Sequence, residues 1–298
     1  MINPDEEKFY KNQLVHNFNL AAPEYDQYAV LQKHTAEELI DRVDIMNIQP
    51  KTVLDLGSGT GRVSRQLSEK FAKTKIVQVD ISPCMLKKAR DLQKNKNQTW
   101  SYLCADAECL PFAKNSFDMV VSNLMLQWAE DLQKIFIDVF AVLKPGGVFV
   151  FTTLGPSTLM ELRDAWASVD NLKHVNDFVD MHILGDALIA AGLSDPVMET
   201  DSVIMKFESA REIMKHLKNL GVHNINRNRR HTLTGKGRMV ALIEAYETWR
   251  EHNGLPCSYE VVYGHAWKTG LHEPTPAKQE HTFSLDALKQ SLARFSRK

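Results

Sequence analysis

The sequence predicts an α/β protein with a doubly wound, mostly parallel β-sheet of seven strands. Through the first half of the chain, short apolar or β-branched runs alternate with helical stretches. Such alternation is typical of parallel strands joined by helical crossovers, with helices on both faces of the sheet. Two strand-like runs, "PVMETDSVIMKF" and "SYEVVYGHAW", come later. We expect the last strand, at about Ser258–Trp267, to run antiparallel.

The predicted elements begin with helices. Leu31, Leu39 and Val43 recur at helical spacing within residues 1–48, and Pro50 ends this segment. Helices are predicted between the strands and again at Thr158–Val169 and Leu184–Ala191. Five strands are predicted before Thr158, at Val53–Leu56, Ile76–Asp80, Trp100–Cys104, Phe117–Ser122 and Val148–Thr153.

The two later strand-like runs are separated by about fifty residues that read as an inserted helical segment. The sequence therefore predicts one domain over residues 1–298, with a helical lid inserted into it. Its parts are an N-terminal helical cover (1–48), a cofactor-binding core (49–207), the inserted lid (208–256), the last strand (257–268) and a polar C-terminal tail (269–298).

Composition excludes several classes of function. The formal net charge of −1 argues against bulk attraction to nucleic acid or membranes. The opening residues are polar, unlike a secretory signal, and no apolar run is long enough to span a bilayer. The four cysteines and eleven histidines show no metal-site spacing. We expect a cytoplasmic, monomeric protein without a metal site.

The stretch "TVLDLGSGTGRVSRQL" places Gly57, Gly59 and Gly61 between a strand and a helix. Glycines at such a turn let the backbone approach a ligand closely. The spacing G-x-G-x-G does not match the G-x-G-x-x-G of dinucleotide-binding folds, and no lysine follows as a phosphate-binding loop requires. On its own, the pattern is also consistent with a tight turn that binds nothing.

Two acidic residues follow the next strands. Asp80 ends the second strand, where a carboxylate can accept both hydrogens of a ribose diol. Asp106 follows the third strand within "CADAECLPF". Either acid alone could be a helix cap or a surface charge, but their order behind the glycine turn favours a nucleotide-containing ligand.

The glycine turn, these acids and the fourth-strand stretch "FDMVVSNLMLQW" together resemble the class I S-adenosylmethionine-dependent methyltransferases over about Val53–Thr153. The resemblance implies a Rossmann-like fold and S-adenosylmethionine as cofactor. The implied cofactor contacts are the turn around the methionyl part, Asp80 at the ribose and Asp106 at the adenine. The full set of expected cofactor-binding residues is Tyr25, Gly57, Ser58, Gly59, Gly61, Asp80, Ile81, Met85, Asp106, Ala107, Asn123 and Leu124.

The flanking segments resemble one branch of these enzymes, the malonyl-[acyl-carrier protein] O-methyltransferase family. The resemblance rests on "FNLAAPEYDQYAVLQ", "TTLGPSTLMELRDAWASVD", "LKNLGVHN" and "SYEVVYGHAW". It implies methyl esterification of the free carboxylate of a malonyl thioester, a step that opens biotin synthesis, and an acyl-carrier protein as partner. A carboxylate is ionised at neutral pH, so no general base is required and the lack of an evident His–Asp pair is expected.

A charged acyl end needs a cation, and the inserted segment is basic. Across Arg211–Arg238 there are eight Lys or Arg and one acid. We expect Lys218 or Arg229 to meet the malonyl carboxylate, with Arg163 in reserve and Trp128 nearby. The acidic carrier protein is expected to dock on the remaining basic residues, which are Arg211, Lys215, Arg227 and Arg230.

Alternatives remain at this point. The basic segment is also consistent with a solvated surface, and Trp128 with a core position. Related proteins assist assembly of respiratory complexes, acting on protein side chains or only binding. Methylation of a small quinone-like acceptor and a cofactor-binding scaffold without catalysis are the other hypotheses.

Overall fold

A seven-stranded sheet forms the centre of the molecule, with strand order β3-β2-β1-β4-β5-β7-β6. The computed structural model describes residues 4–93, 99–222 and 235–269. The strands are β1 (Thr52–Leu56), β2 (Lys75–Asp80), β3 (Trp100–Cys104), β4 (Phe117–Asn123), β5 (Leu143–Leu154), β6 (Ser194–Phe207) and β7 (Leu255–Trp267). The first five are mutually parallel.

The last strand is antiparallel to both of its neighbours. β7 pairs with β5 and with β6 in antiparallel register, which confirms the fold class and the orientation expected for this strand. It begins three residues before the predicted Ser258 because Leu255–Cys257 continue the pairing with β6. β5 also begins earlier than predicted, at Leu143, because the chain before Val148 already pairs with β4.

Ten α-helices in the described ranges surround the sheet. They are α1 (Pro4–Ala21), α2 (Tyr25–Tyr28), α3 (Val30–Ile45), α4 (Arg62–Lys70), α5 (Pro83–Leu92), α6 (Leu132–Val142), α7 (Met160–Ala167), α8 (Met181–Ala190), α9 (Ala210–Asn219) and α10 (Lys236–Glu247). The segment 208–256 thus contributes α9 and α10, with residues 223–234 between them outside the described ranges.

The sheet is covered on both faces, as its near-continuous apolar strands require. One face packs against α6 and α8, through Phe136, Val139 and Leu188. The other packs against α3 and α4, through Leu39 and Leu67. All five side chains are buried. Because both faces are covered, a ligand can reach the sheet at the edge where the parallel strands end.

The N-terminal helices lie over that edge. Asn19 on α1 accepts a hydrogen bond from the Ser82 hydroxyl at 2.7 Å, at the start of α5. Asp26 on α2 accepts one from Thr60 Oγ1 at 2.7 Å, within the glycine turn. These two contacts hold the helical cover against the ends of β1 and β2.

We predict that Gly264→Ala destabilises the fold. Gly264 on β7 faces Phe151 on β5, and a Cβ built at this glycine would lie 2.3 Å from Phe151 Cζ. The Phe151 ring is itself stacked on Phe149 with centroids 4.9 Å apart, so it has no room to move. Overpacking of this kind costs about 1–3 kcal/mol, which urea unfolding would measure.

Gly237→Ala is the matched control for this substitution. No atom lies within 4 Å of a Cβ built at Gly237, and alanine favours a helix over glycine by about 1 kcal/mol. This variant should be as stable as the unmodified protein or more so. Equal stability of Gly264→Ala and the unmodified protein would show that the Phe151 contact is not rigid.

Candidate functional site

A cavity of about 820 Å³ lies at the carboxyl ends of the parallel strands. It has two differently built halves. The acidic half is formed by the residues after β1, β2 and β3 together with α1 and α2. The apolar half is formed by α7, the loop after it, α9 and α10.

The glycine turn borders the acidic half. Gly57, Gly59 and Gly61 have φ values of 71°, 53° and 76°, a conformation that favours glycine over other residues. Gly57 and Gly59 line the cavity, and no atom lies within 4 Å of a Cβ built at Gly59. A Cβ at Gly61 would instead lie 2.7 Å from Gln78 Oε1. Gly61 thus serves packing behind the turn, and Ser58 is likewise outside the lining.

Asp80 lies at the centre of the acidic half. Its Oδ2 accepts from the Gly59 N–H and its Oδ1 from the Ser82 N–H, both at 2.8 Å. Burial raises the pKa of this carboxyl to about 6, against the lowering effect of the two hydrogen bonds. Ile81 and Met85, also predicted from sequence, line the cavity beside it.

A second buried carboxylate, which the sequence analysis did not single out, connects the strand before the glycine turn to the helix after it. Asp55 on β1 accepts hydrogen bonds from the Ser64 hydroxyl at 2.5 Å and the Ser64 N–H at 3.2 Å. Burial raises the pKa of Asp55 to about 6. The signal available in the sequence was an acid inside an otherwise apolar strand.

Asp106 and Ala107 line the far end of the acidic half. Asp106 forms an ion pair with Lys11 on α1, with Nζ–Oδ2 at 2.7 Å. The same ammonium lies 3.0 Å from Glu108 Oε2, and Glu108 also accepts the Glu130 N–H. Sequence reasoning missed both Lys11 and Glu108, because their partners are remote in the chain.

The floor of the cavity is formed by Asn123 and Leu124 at the end of β4. Leu124 has a φ of 49°, which is unfavourable for a side-chain-bearing residue. Its N–H donates to Thr152 Oγ1, and that hydroxyl donates to Asn123 Oδ1 at 2.7 Å. The Asn123 amide in turn donates to the Gln32 carbonyl on α3. These hydrogen bonds connect the Asn123–Leu124 segment to β5 and α3.

Tyr25 covers the acidic half from α2 and is half-buried. Burial, with smaller contributions from the Asp80 and Asp26 carboxylates, raises the pKa of the phenol. Tyr25 therefore keeps its O–H at neutral pH and can donate a hydrogen bond into the cavity. Trp128 lines the cavity too, and its ring packs edge-on against Phe18 with centroids 5.5 Å apart.

Three of the predicted cations lie on α9, and one of the three lines the cavity. Lys218 lines the cavity, and no hydrogen bond or ion pair in the described ranges engages its ammonium. Arg211, Lys215 and Lys218 are all exposed on α9, and Arg211 and Lys215 are outside the cavity lining. Arg227, Arg229 and Arg230 lie outside the described residues.

Arg163, the reserve candidate, does not line the cavity. Its guanidinium donates to the Pro156 and Thr158 carbonyls at 3.0 and 3.1 Å. These bonds brace the chain between β5 and α7, and they occupy the group that was expected to meet a carboxylate.

The described residues contain two His–Asp pairs, although the sequence showed no evident one. His174 Nε2 lies 2.8 Å from Asp170 Oδ1, and His174 lines the apolar half of the cavity. His182 Nδ1 lies 2.7 Å from Asp180 Oδ1 on the exposed start of α8. In the sequence, the acid precedes the histidine by four residues in the first pair and by two in the second, and either spacing alone is a weak signal.

Within the described ranges, no group of three or more His, Cys, Asp or Glu could hold a metal ion. None of the helices described there has the length and apolar character to cross a membrane. The cavity presents acidic hydrogen-bond acceptors at one end and an apolar wall with Lys218 at the other.

Comparisons with known proteins agree with this arrangement. A family model described as a methyltransferase domain matches residues 54–151. Among solved structures, YcgJ of Bacillus subtilis aligns with a TM-score of 0.56 at 18% identity, over 78% of this chain and 98% of that one. A chain from a complex of the Haloferax volcanii Trm112 methyltransferase activator aligns with a TM-score of 0.54 at 22% identity, over 84% and 97%. At these identities the likeness shows the fold alone.

Curated relatives are more similar. A malonyl-[acyl-carrier protein] O-methyltransferase of Gallionella capsiferriformans is 42% identical over 260 residues, covering 84% of this chain and 88% of that protein. A protein of the same name from Halorhodospira halophila is 38% identical over 288 residues, covering 94% and 95%. The fold, the cavity and these relatives agree with the family predicted from the flanking segments: the chain belongs to the malonyl-[acyl-carrier protein] O-methyltransferases.

Proposed function

We propose that this protein transfers a methyl group from S-adenosylmethionine to the free carboxylate of a malonyl group carried on acyl-carrier protein. The product is the methyl ester that enters biotin synthesis. The observation that carries the proposal is that one cavity joins an acidic half to an apolar half containing Lys218. The first suits a nucleoside and the second an acyl chain with a charged end. The cytoplasmic location and monomeric state remain predictions.

The residues of the acidic half fit the cofactor. Open space at Gly59 allows the turn to approach a ligand closely, and the Asp80 carboxylate has acceptor capacity beyond its two backbone hydrogen bonds. We assign Asp80 to the ribose hydroxyls, Asp106 and Ala107 to the adenine, and Gly57 with Tyr25 to the methionyl end. Asn123 and Leu124 lie beneath the reacting methyl in this arrangement.

When bound, S-adenosylmethionine supplies an electrophilic methyl group on a positively charged sulfur. The chain's own contribution is to align the acceptor for in-line displacement, which can account for much of the acceleration. Lys218 holds the acyl end by its charge without abstracting a proton, because the malonyl carboxylate is already ionised. The apolar wall, including Leu217 and Met239, excludes water from the reacting groups.

We assign the carrier-protein dock to Arg211 and Lys215, together with Arg227 and Arg230. Arg211 and Lys215 are exposed on α9, the same helix whose Lys218 lines the cavity. An acidic carrier bound to the outer face of α9 would therefore lie close to the chamber that receives its acyl group.

The direct test is methyl transfer from radiolabelled S-adenosylmethionine to malonyl-acyl-carrier protein. We expect label in an ester that base hydrolyses, and none with acetyl-acyl-carrier protein, which has no carboxylate. Label in a protein side chain or a quinone-type acceptor, and none in the malonyl ester, would favour the assembly-factor or small-molecule alternatives instead. Growth without biotin of cells lacking the gene would contradict the proposed role in biotin synthesis.

Asp80→Asn should weaken binding of S-adenosylmethionine, because hydrogen bonds to an ionised acceptor contribute about 1.5–3 kcal/mol each. The pKa of Asp80 is raised to about 6, so the carboxylate is lost as pH falls through that value. Affinity of the unmodified protein should therefore fall between neutral pH and pH 5. Isothermal titration calorimetry at several pH values would measure both effects.

The pH series needs a comparison, because Asp55 titrates in the same range, with a pKa of about 6. The asparagine variant keeps Asp55, so the difference between the two pH profiles isolates Asp80. Parallel profiles would contradict the assignment of Asp80 to the ribose.

Lys218→Met should lower turnover even with a small malonyl thioester that has no carrier protein, because the lost charge acts on the acyl end itself. Lys215→Met is the matched control, one helical turn away on the same element. It should raise KM for the carrier-bound substrate only, and more so at low salt, where surface charges are least screened. If both variants lose activity only with the carrier-bound substrate, Lys218 belongs to the dock and another group holds the carboxylate.

A further inference from the structure

Gln32 on α3 carries a carboxamide that the protein itself leaves unpaired. The residue lines the main cavity, and its Oε1 is buried without a hydrogen-bond partner. No residue in the described part of the chain accepts a hydrogen bond from its Nε2 either. A buried polar group without a partner lowers the stability of a fold. This side chain is therefore a candidate for contact with a ligand that completes its hydrogen bonds.

A second glutamine in the same lining is fully engaged by the protein. Gln127 Nε2 donates to the Leu124 carbonyl at 2.7 Å, and Gln127 Oε1 accepts from the Thr153 hydroxyl at 3.4 Å. The Gln32 carboxamide has no such restraint. Rotation about its last side-chain bond breaks no hydrogen bond to the described residues, so this group can turn its N–H donors or its acceptor oxygen toward a ligand.

The main chain fixes Gln32 at the floor of the cavity. Its carbonyl oxygen accepts a hydrogen bond from the Asn123 amide at 3.1 Å, and Asn123 lies beneath the reacting methyl in the proposed arrangement. The neighbouring Leu31 shares a buried cluster with Leu217, which precedes Lys218 on α9. Gln32 and Lys218 thus both line the cavity, on two helices whose adjacent residues pack together.

A carboxylate held at this floor needs more than one donor. It has about four lone-pair sites, and unpaired charge is costly away from water. Lys218 supplies a positive charge, and a neutral amide N–H adds a directional contact. A second cation would instead make the carboxylate a weaker nucleophile. One oxygen held by the amide leaves the lone pairs of the other free for the new bond to the methyl carbon.

We propose that Gln32 Nε2 donates a hydrogen bond to the malonyl carboxylate and so orients its attacking oxygen. Asn123 is a positioning residue, because its amide holds the main chain of Gln32 at the floor. The inference rests on the proposed function, since it specifies how the substrate of that reaction is held.

The test uses malonyl-pantetheine, which needs no carrier protein, and two variants of Gln32. Gln32→Met keeps the length of the side chain and removes the donor. It should lower kcat/KM by about ten- to a hundredfold, the effect of one hydrogen bond to a charged group. Its melting temperature should equal or exceed that of the unmodified protein, because no paired group is lost.

Gln32→Glu places a negative charge beside the malonyl carboxylate. This variant should lower kcat/KM more than Gln32→Met does. Relative to the unmodified protein, the loss should shrink as pH falls, because protonation of the new carboxyl removes the repulsion and restores a donor. A loss that does not change with pH would contradict a direct contact with the carboxylate.

Gln27→Met is the matched control, because Gln27 is exposed on α2 and outside the cavity lining. It should leave kcat/KM unchanged. Calorimetry with S-adenosylmethionine separates the substrate from the cofactor: unchanged affinity in Gln32→Met supports the proposal, and a changed affinity would assign the amide to the cofactor and overturn it.

Two further results would also overturn the contact while the proposed function stands. One is an equal kcat/KM in Gln32→Met and the unmodified protein. The other is a loss of kcat/KM together with a lower melting temperature, which would assign Gln32 a structural role. Absence of methyl transfer to malonyl-pantetheine and to malonyl-acyl-carrier protein by the unmodified protein would overturn the proposed function together with the contact.

Discussion

The Asp80 carboxylate joins two backbone segments that would otherwise be independent. One oxygen accepts the N–H of Gly59 in the turn after β1, and the other accepts the N–H of Ser82 before α5. Ser82 in turn caps α5 through Met85 and contacts α1 through Asn19. The turn, the helix start and the N-terminal cover thus depend on one buried charge. The two backbone donors offset its desolvation only in part, since the pKa of Asp80 is still raised to about 6. The carboxylate keeps acceptor capacity for a neutral hydroxyl ligand.

Two residues that line the rest of the cavity have strained backbone conformations, and a hydrogen bond from a neighbouring strand holds each of them. Leu124 and Leu159 both adopt positive φ values, 49° and 56°, and both line the cavity. The Leu159 N–H donates to the Ser258 carbonyl on β7 at 2.7 Å, just as Thr152 on β5 holds Leu124. The antiparallel strand at the end of the chain is therefore part of the site: it fixes the start of α7, whose Trp166 forms the wall of the apolar half.

The sequence was sufficient for the fold class and for most contributors to the acidic half, because those residues follow strands at short and regular spacing. The spacing placed Gly57, Gly59 and Asp80 at the ends of β1 and β2, whereas their role at a cofactor was implied by the family resemblance. Lys11 and His174 could not be located by spacing, because their positions depend on how helices and loops remote in sequence pack over the sheet. Arg163 was expected to meet the malonyl carboxylate, but it does not line the cavity. Its charge alone does not reveal that two nearby carbonyl oxygens already engage its guanidinium.

The ion pair between Lys11 and Asp106 makes α1 an internal competitor for the position assigned to the adenine. The ammonium contacts Glu108 as well as Asp106, so it can give up one carboxylate and keep the other. Glu108 is buried and also bound by the Glu130 N–H, which makes it the more permanent partner. An arriving base would then exchange places with Lys11 at Asp106 while α1 stays attached through Glu108, and helix docking and ligand exchange become separable events.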